Sequence, residues 1–188
     1  MTMTAVDAHV SEVRNVLAQL PANDVERVID VLLAAHRGRR HVYIIGNGGS
    51  ASTATHFACD LSKATVTGNQ PRLRVTSLTD NVALLTAWAN DSSYDAVFAE
   101  QLVNLLDPGD VVIAISASGK SPNVLAAIAA AQSRGAVTVA MVGFNGGPLK
   151  QMVDVAVHVP SHSYGVVEDC HLVLEHAITA AMRGALAD

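Results

Sequence analysis

The sequence predicts an α/β fold, a three-layer sandwich on a five-stranded parallel sheet, preceded by a pair of helices. Three observations predict it. Five short Val/Ile-rich runs, HVYIIG, RLRVTSL, DVVIAIS, AVTVAMVG and VDVAVHV, are nearly continuous in hydrophobicity, as parallel strands buried on both faces are. Segments of helical periodicity separate them, which is the pattern of strand–helix–strand crossovers. The chain has 188 residues, enough for one well-buried domain and too few for two full-sized ones.

Residues 5–35 read as two helices broken at Leu20-Pro21. Val10, Val13, Val16 and Leu17 recur at helical spacing in the first, and Val25, Val28, Ile29, Val31, Leu32 and Leu33 in the second. An amphipathic pair ahead of the first strand wants a partner surface. The basic run HRGRRH, residues 36–41, falls where the second helix ends, and Arg and His near a helix C-terminus complement its dipole. HVYIIG then leads into a helix over about Ser50–Lys63, a polar loop at 64–72 and the strand RLRVTSL, with helices near 81–90 and 93–106. Asp107-Pro108-Gly109 turns the chain into DVVIAIS. A helix over about Ser121–Arg134, AVTVAMVG, a short helix after Gly146-Gly147-Pro148, VDVAVHV and a last helix from about Gly165 to the end complete the alternation.

Half of the residues are hydrophobic and only 4 % are aromatic, a composition rich in Ala and Val that suits closely packed helices. The mean hydropathy of +0.31 fits either buried subunit interfaces or an Ala-rich core. A formal charge of -5, with HRGRRH the only basic run, argues against nucleic-acid binding, which needs a concentrated basic face. No apolar stretch approaches the roughly 20 residues of a membrane span, and no signal sequence opens the chain; no membrane association and a cytoplasmic location are expected. Cys59 and Cys170 lack metal-type spacing and read as buried, reduced thiols.

Two strand ends carry unusual loops. Gly46-Asn47-Gly48-Gly49-Ser50-Ala51-Ser52 follows HVYII, and Ser116-Ala117-Ser118-Gly119-Lys120-Ser121 follows DVVIAI. Each makes a small-residue turn into a helix, so backbone N–H groups and Ser hydroxyls converge at a helix N-terminus, a ready anion site. The first loop satisfies G-x-G-x-x-A, yet a dinucleotide fold wants an acidic residue roughly 20 positions on. Asp80 comes 34 positions after Gly46. Neither loop is a Walker A motif. A phosphomonoester, with three terminal oxygens, is matched by several short hydroxyl donors; simple helix capping by Ser50 or Ser121 is the plainer alternative.

His56 and Asp60 fall four apart on the helix that leaves the first loop, hence on one face. Glu168 and His176 lie eight apart on the last helix, roughly 12 Å by helical rise. Two imidazoles and two carboxylates suit a divalent metal such as zinc. They also suit an aldose–ketose isomerisation, which needs a base for the proton beside the carbonyl and an acid or metal for the enediolate. Taken singly, each is equally a residue of a solvated helix face.

The segments IIGNGGSAS…HFACDL, AISASGKSPNVLAAIAAAQSRG, GFNGGPLKQMVDVAVHVPS and VEDCHLVLEHAI resemble the sugar-isomerase (SIS) domain family over nearly the whole chain. The likeness is strongest to its sedoheptulose-7-phosphate (phosphoheptose) isomerases and the related initiator-associating proteins. The resemblance implies a flavodoxin-like sheet order and a single SIS domain over 1–188, with 1–38 as a helical oligomerisation extension. It further implies a homotetramer with active sites at subunit interfaces and one zinc ion per subunit held by His56, Asp60, Glu168 and His176. Asp60 would be the base and His176 the acid. Asn47, Gly48, Gly49, Ser50, Ser116, Ala117, Ser118 and Ser121 would take the sugar phosphate, with Asp91 and Glu168 near the substrate.

The departures from that family lie around the sugar. Asp60 stands in place of glutamate, and setting a base about 1 Å back costs roughly a hundredfold in rate. Glu168 replaces glutamine, Ala64 an arginine beside Lys63, and Gly165 an aspartate. The expected function is isomerisation of a phosphosugar, with sedoheptulose 7-phosphate and glycero-manno-heptose 7-phosphate as the leading pair. The alternatives are a non-catalytic phosphosugar-binding or protein-binding module of the initiator-associating type and, more remotely, a dinucleotide-dependent oxidoreductase.

Overall fold

The computed structural model describes residues 4–187; positions 1–3 of the expected N-terminal extension and the final Asp188 lie outside them. Thr4 opens the first helix, α1 (Ala5–Leu17), through a reciprocal capping box with Asp7. Pro21 separates it from α2 (Ala22–Arg37), which closes on His36, Arg37 and Gly38. The chain then alternates through β1 (His41–Gly46), α3 (Gly49–Lys63), β2 (Arg74–Ser77), α4 (Val82–Asp91), a 3-10 turn (Tyr94–Ala96), α5 (Ala99–Leu105), β3 (Val111–Ser116), α6 (Pro122–Ser133), β4 (Val137–Val142), α7 (Leu149–Met152), β5 (Val155–His158) and α8 (Tyr164–Ala187).

All five strands are parallel, in the order β2-β1-β3-β4-β5. Side chains alternate across the sheet with the strand period of two. Val42, Ile44, Ile113 and Met141 face a layer that includes Leu32 of α2, Phe57 of α3 and Ile178 of α8. Tyr43, Ile45, Val112 and Ala140 face the opposite layer, with Phe98, Leu102 of α5, Ile128 of α6 and Leu149. The helix pair α1–α2 packs on α8, so it joins the first layer. Among the described residues no helix is long and apolar enough to cross a membrane.

Three local expectations change. The helix expected over 93–106 divides at Val97 and Phe98, both buried; a single helix would splay consecutive side chains about 100° apart, whereas the break lets both reach the core. β2 is a sheet edge whose first three residues keep partial or full exposure, so RLRVTSL is not buried on both faces. Cys170 is buried, but Cys59 is exposed, because Phe57, Ala58 and Leu61 turn the other side of α3 inward.

Candidate active site

The chain leaves β1 for β2 on one side and returns across it to β3 on the other, so the carboxyl ends of β1 and β3 flank the switch point of the sheet. Both Ser loops emerge there. Between them lies a cavity of about 160 Å³ lined by Asn47, Ser50, Ser116, Ala117, Ser118 and Ser121 of the two loops, together with Ile115, Tyr164 and Glu168. Gly48 and Gly49 form the turn into α3 beside this cavity, Gly48 with φ of +56°, a region that favours glycine. Asp91 is placed elsewhere, exposed at the end of α4, where Asn90 donates to its carboxylate.

Capping does not consume the two candidate hydroxyls. Ser50 sits inside the first turn of α3, and Ser121 occupies the N-cap position of α6 without a side-chain cap hydrogen bond. Ser116 and Ser118 instead accept from the N–H groups of Gly119 (3.2 Å) and Lys120 (3.3 Å), which fixes the turn of the second loop. The first N–H groups of α3 have no acceptor within the helix and face the same end of the sheet.

A partly buried amide pair joins the first loop to the start of α6. Asn47 Nδ2 donates to Asn123 Oδ1 and Asn123 Nδ2 donates back to Asn47 Oδ1, each at 2.9 Å, while the Tyr94 hydroxyl donates to Asn47 Oδ1 at 3.0 Å. Asn123 is 1 % exposed, so its partner's orientation is held from inside the protein. The spacing of Asn123, two residues after Ser121, was a signal in the sequence; its pairing with Asn47 depends on the β1–β3 adjacency.

Glu168 supplies the one carboxylate of this cavity among the described residues. It lies so close to Gly49 that a methyl group there would collide with its oxygens. It is not among the residues whose ligand atoms gather in the metal-type cluster.

That cluster is made by His56, Asp60 and His176, each of which offers a ligand atom within 4.8 Å of the others. Asp60 Oδ2 stands 3.8 Å from His56 Nε2 and 3.7 Å from His176 Nε2. The two imidazoles meet edge to face at 5.0 Å. α3 and α8 pack against each other, and both run away from the phosphate-sized cavity. His56 and Asp60 are thereby one to three turns from the loops, and His176 a comparable distance down its own helix. Two nitrogens and a carboxylate oxygen this close fit a borderline divalent metal by donor type and spacing.

A residue absent from the expectations adjoins the cluster. Glu175 is 0 % exposed, with Oε1 at 3.0 Å from His56 Nδ1 and 4.0 Å from His176 Nε2. Burial, and then the neighbouring Asp60 charge, push its carboxyl up to about 8. The available signal was its helical stripe: Glu175 follows His171 by four and precedes Thr179 by four, all buried on α8 with Leu174, Ile178 and Met182.

The sequence matches the SIS domain over residues 8–143. It is 41 % identical over 157 residues to a phosphoheptose isomerase of Mycobacterium tuberculosis, covering 84 % of this chain and 80 % of that protein. It is 40 % identical over 148 residues to one of Geobacter metallireducens, covering 79 % and 78 %. The structure superposes on a phosphoheptose isomerase of Neisseria gonorrhoeae with a TM-score of 0.89 at 30 % identity, covering 95 % of this chain and 97 % of the other.

Proposed function

Because the chain belongs to the SIS-domain family, among its phosphoheptose isomerases, we propose that it isomerises a phosphosugar, interconverting sedoheptulose 7-phosphate and glycero-manno-heptose 7-phosphate. The observation that carries this reading is the layout of α3 and α8. Both helices start at a Ser-lined anion cavity, and together they hold an acid–base cluster further along.

In this reading the Ser50, Ser116, Ser118 and Ser121 hydroxyls and the N-terminal N–H groups of α3 anchor the phosphate. Gly48 and Gly49 shape the turn, while Asn47 and Ala117 close the cavity wall. The sugar chain then extends along α3 and α8. Asp60 removes the proton from the carbon beside the carbonyl, and the electron pair of that C–H bond becomes the C=C bond of an enediolate. His176 gives a proton to the carbonyl oxygen and takes one from the neighbouring hydroxyl; Asp60 returns its proton to the adjacent carbon. His56, Asp60 and His176 are the residues that would hold zinc, whose contribution when bound is Lewis-acid stabilisation of the enediolate oxygens. Glu168 acts on the substrate side of the site, and Asp91 approaches the sugar only if a loop or subunit movement brings it there.

The assembly read from the resemblance, a homotetramer built through the 1–38 extension, is supported by Val6 and Val10 on α1, which are 71 % and 59 % exposed. Sedimentation of wild-type protein beside Val10→Glu tests it: a tetramer that the substitution splits is the expected result.

One observation favours a second reading, a phosphosugar-binding or protein-binding module without turnover. Glu168 places a negative charge in the cavity meant for an anion. Metal-loaded protein incubated in D₂O with C5 to C7 sugar phosphates separates the two. Deuterium at C1 or C2 of one of them is expected of the isomerase; binding without exchange across the panel would leave the second reading.

A further inference from the structure

The three-residue cluster leaves unexplained why α8 buries an acidic side chain completely beside it. Glu175 is fully enclosed, and neither carboxyl oxygen has an aligned hydrogen-bond partner among the described residues. Unpartnered buried carboxyl oxygens are costly and call for a reason. His56 Nδ1 lies 3.0 Å from Oε1. The other nitrogen of the same ring, Nε2, faces Asp60 Oδ2 at 3.8 Å, and Asp60 Oδ2 in turn lies 3.7 Å from His176 Nε2. One edge of the imidazole therefore meets the buried carboxyl, and the opposite edge meets the shared ligand point.

The geometry points to Glu175 as the positioning residue for His56: it accepts from Nδ1–H, which leaves Nε2 unprotonated and aimed at the point shared with Asp60 and His176. Charged or neutral, the carboxyl keeps an oxygen able to accept from Nδ1–H. The separation of 3.0 Å is a hydrogen-bond distance, so turning the ring to align its N–H completes the bond, and the burial of Glu175 on α8 limits where its oxygen can go. Metal-binding histidines are commonly oriented this way through their second nitrogen. Glu175 does this from inside the core, whereas Glu168, one of the four residues expected as ligands, stands at the anion cavity instead. The inference rests on the metal reading above.

The test is zinc affinity of the metal-free full chain, by competition with a chromophoric chelator, for wild type, His56→Ala, Glu175→Gln and Glu175→Leu. The expected order is tight binding by wild type, near loss in His56→Ala, and 10–100-fold weakening in Glu175→Leu. Glu175→Gln keeps an acceptor, although a weaker one, and should fall between. It also covers the case in which the leucine variant fails to fold. The second readout is the ¹⁵N shift pattern of His56 in metal-free protein at neutral pH: the Nδ1–H tautomer in wild type, shifted toward Nε2–H in Glu175→Leu. Unchanged zinc affinity in folded Glu175→Leu, unchanged affinity in Glu175→Gln where the leucine variant does not fold, or an Nε2–H tautomer in wild type overturns the assignment while the metal reading stands. Wild-type protein that takes up no zinc overturns the metal reading and this inference with it.

Discussion

Asp60 carries its carboxylate on one methylene fewer than the glutamate usual in its family, yet Oδ2 still comes within 4 Å of both imidazoles. In the proposed mechanism the shortfall falls at the substrate, since Phe57 and Leu61 hold the helix that carries Asp60 in the core. Asp60→Glu is predicted to raise deuterium exchange up to roughly a hundredfold if the base now sits about 1 Å too far back. Asp60→Asn should abolish exchange, and exchange that survived it would remove Asp60 from the role of base. Glu168 gives a second prediction at this scale. Its charge opposes an incoming phosphate across a few ångströms, so Glu168→Gln should tighten inorganic phosphate binding by roughly tenfold in a partly solvated cavity. Calorimetry with phosphate reads this directly, and an unchanged affinity would mean that the carboxylate is turned away or neutralised when the anion binds. The proximity of His56 and Asp60 was legible from spacing because helix periodicity converts i,i+4 into proximity, whereas His176 joins them through the packing of α8 on α3 and was indicated by the resemblance. Glu175 was not, because nothing in its immediate neighbours distinguishes a charged side chain turned inward from one turned to water.

At the level of elements, the contact of α3 with α8 decides where the site is. Gly49 lets the start of α3 lie against the carboxylate of Glu168 on α8: a Cβ there would meet its oxygens, the far end of a side chain that can swing aside. Gly49→Ala should therefore cost no more than about 0.5 kcal/mol in urea unfolding, because the carboxylate turns away and the helices stay where they are. A larger loss that Glu168→Ala recovers would show that the carboxylate is held in place. The elements themselves were read from the sequence with small errors, because parallel strands and their crossover helices have strong and different periods. What the local pattern could not supply was the break at Val97-Phe98 and the pairing of Asn47 with Asn123. The pairing follows from strand order, which brings residues distant in sequence together, and the break from the burial of both Val97 and Phe98.

For the whole molecule, the core holds a titratable group that makes stability depend on pH. His171 is 1 % exposed, and burial pulls its imidazole down to about 4, only partly opposed by the nearby Val142 backbone. Above pH 6.5 the ring is neutral folded or unfolded, and its contribution is fully present. As pH falls from 6.5 to about 4, the unfolded chain takes up a proton that the folded chain refuses, so stability drops by about 3 kcal/mol. Urea unfolding across this range should show that limb in wild type and lose it in His171→Leu; parallel curves would mean that His171 is protonated in the folded state. The fold class was the most legible property of all, since the succession of continuous apolar strands and helical segments and the chain length bound it before any residue is placed. The assembly was the least legible, because an exposed apolar stripe does not identify what covers it.

The parallel course of α3 and α8 away from one anchoring end turns the pair into a ruler. In the proposed mechanism a substrate tethered by its phosphate is measured against fixed marks, and only a chain of the right length would bring its carbonyl level with Asp60 and His176. Moving the acid–base marks by one helical turn, about 5.4 Å, would address a sugar several carbons longer or shorter while the anchor stayed untouched. Selectivity for sugar length would then be set by helical rise rather than by the shape of a closed pocket.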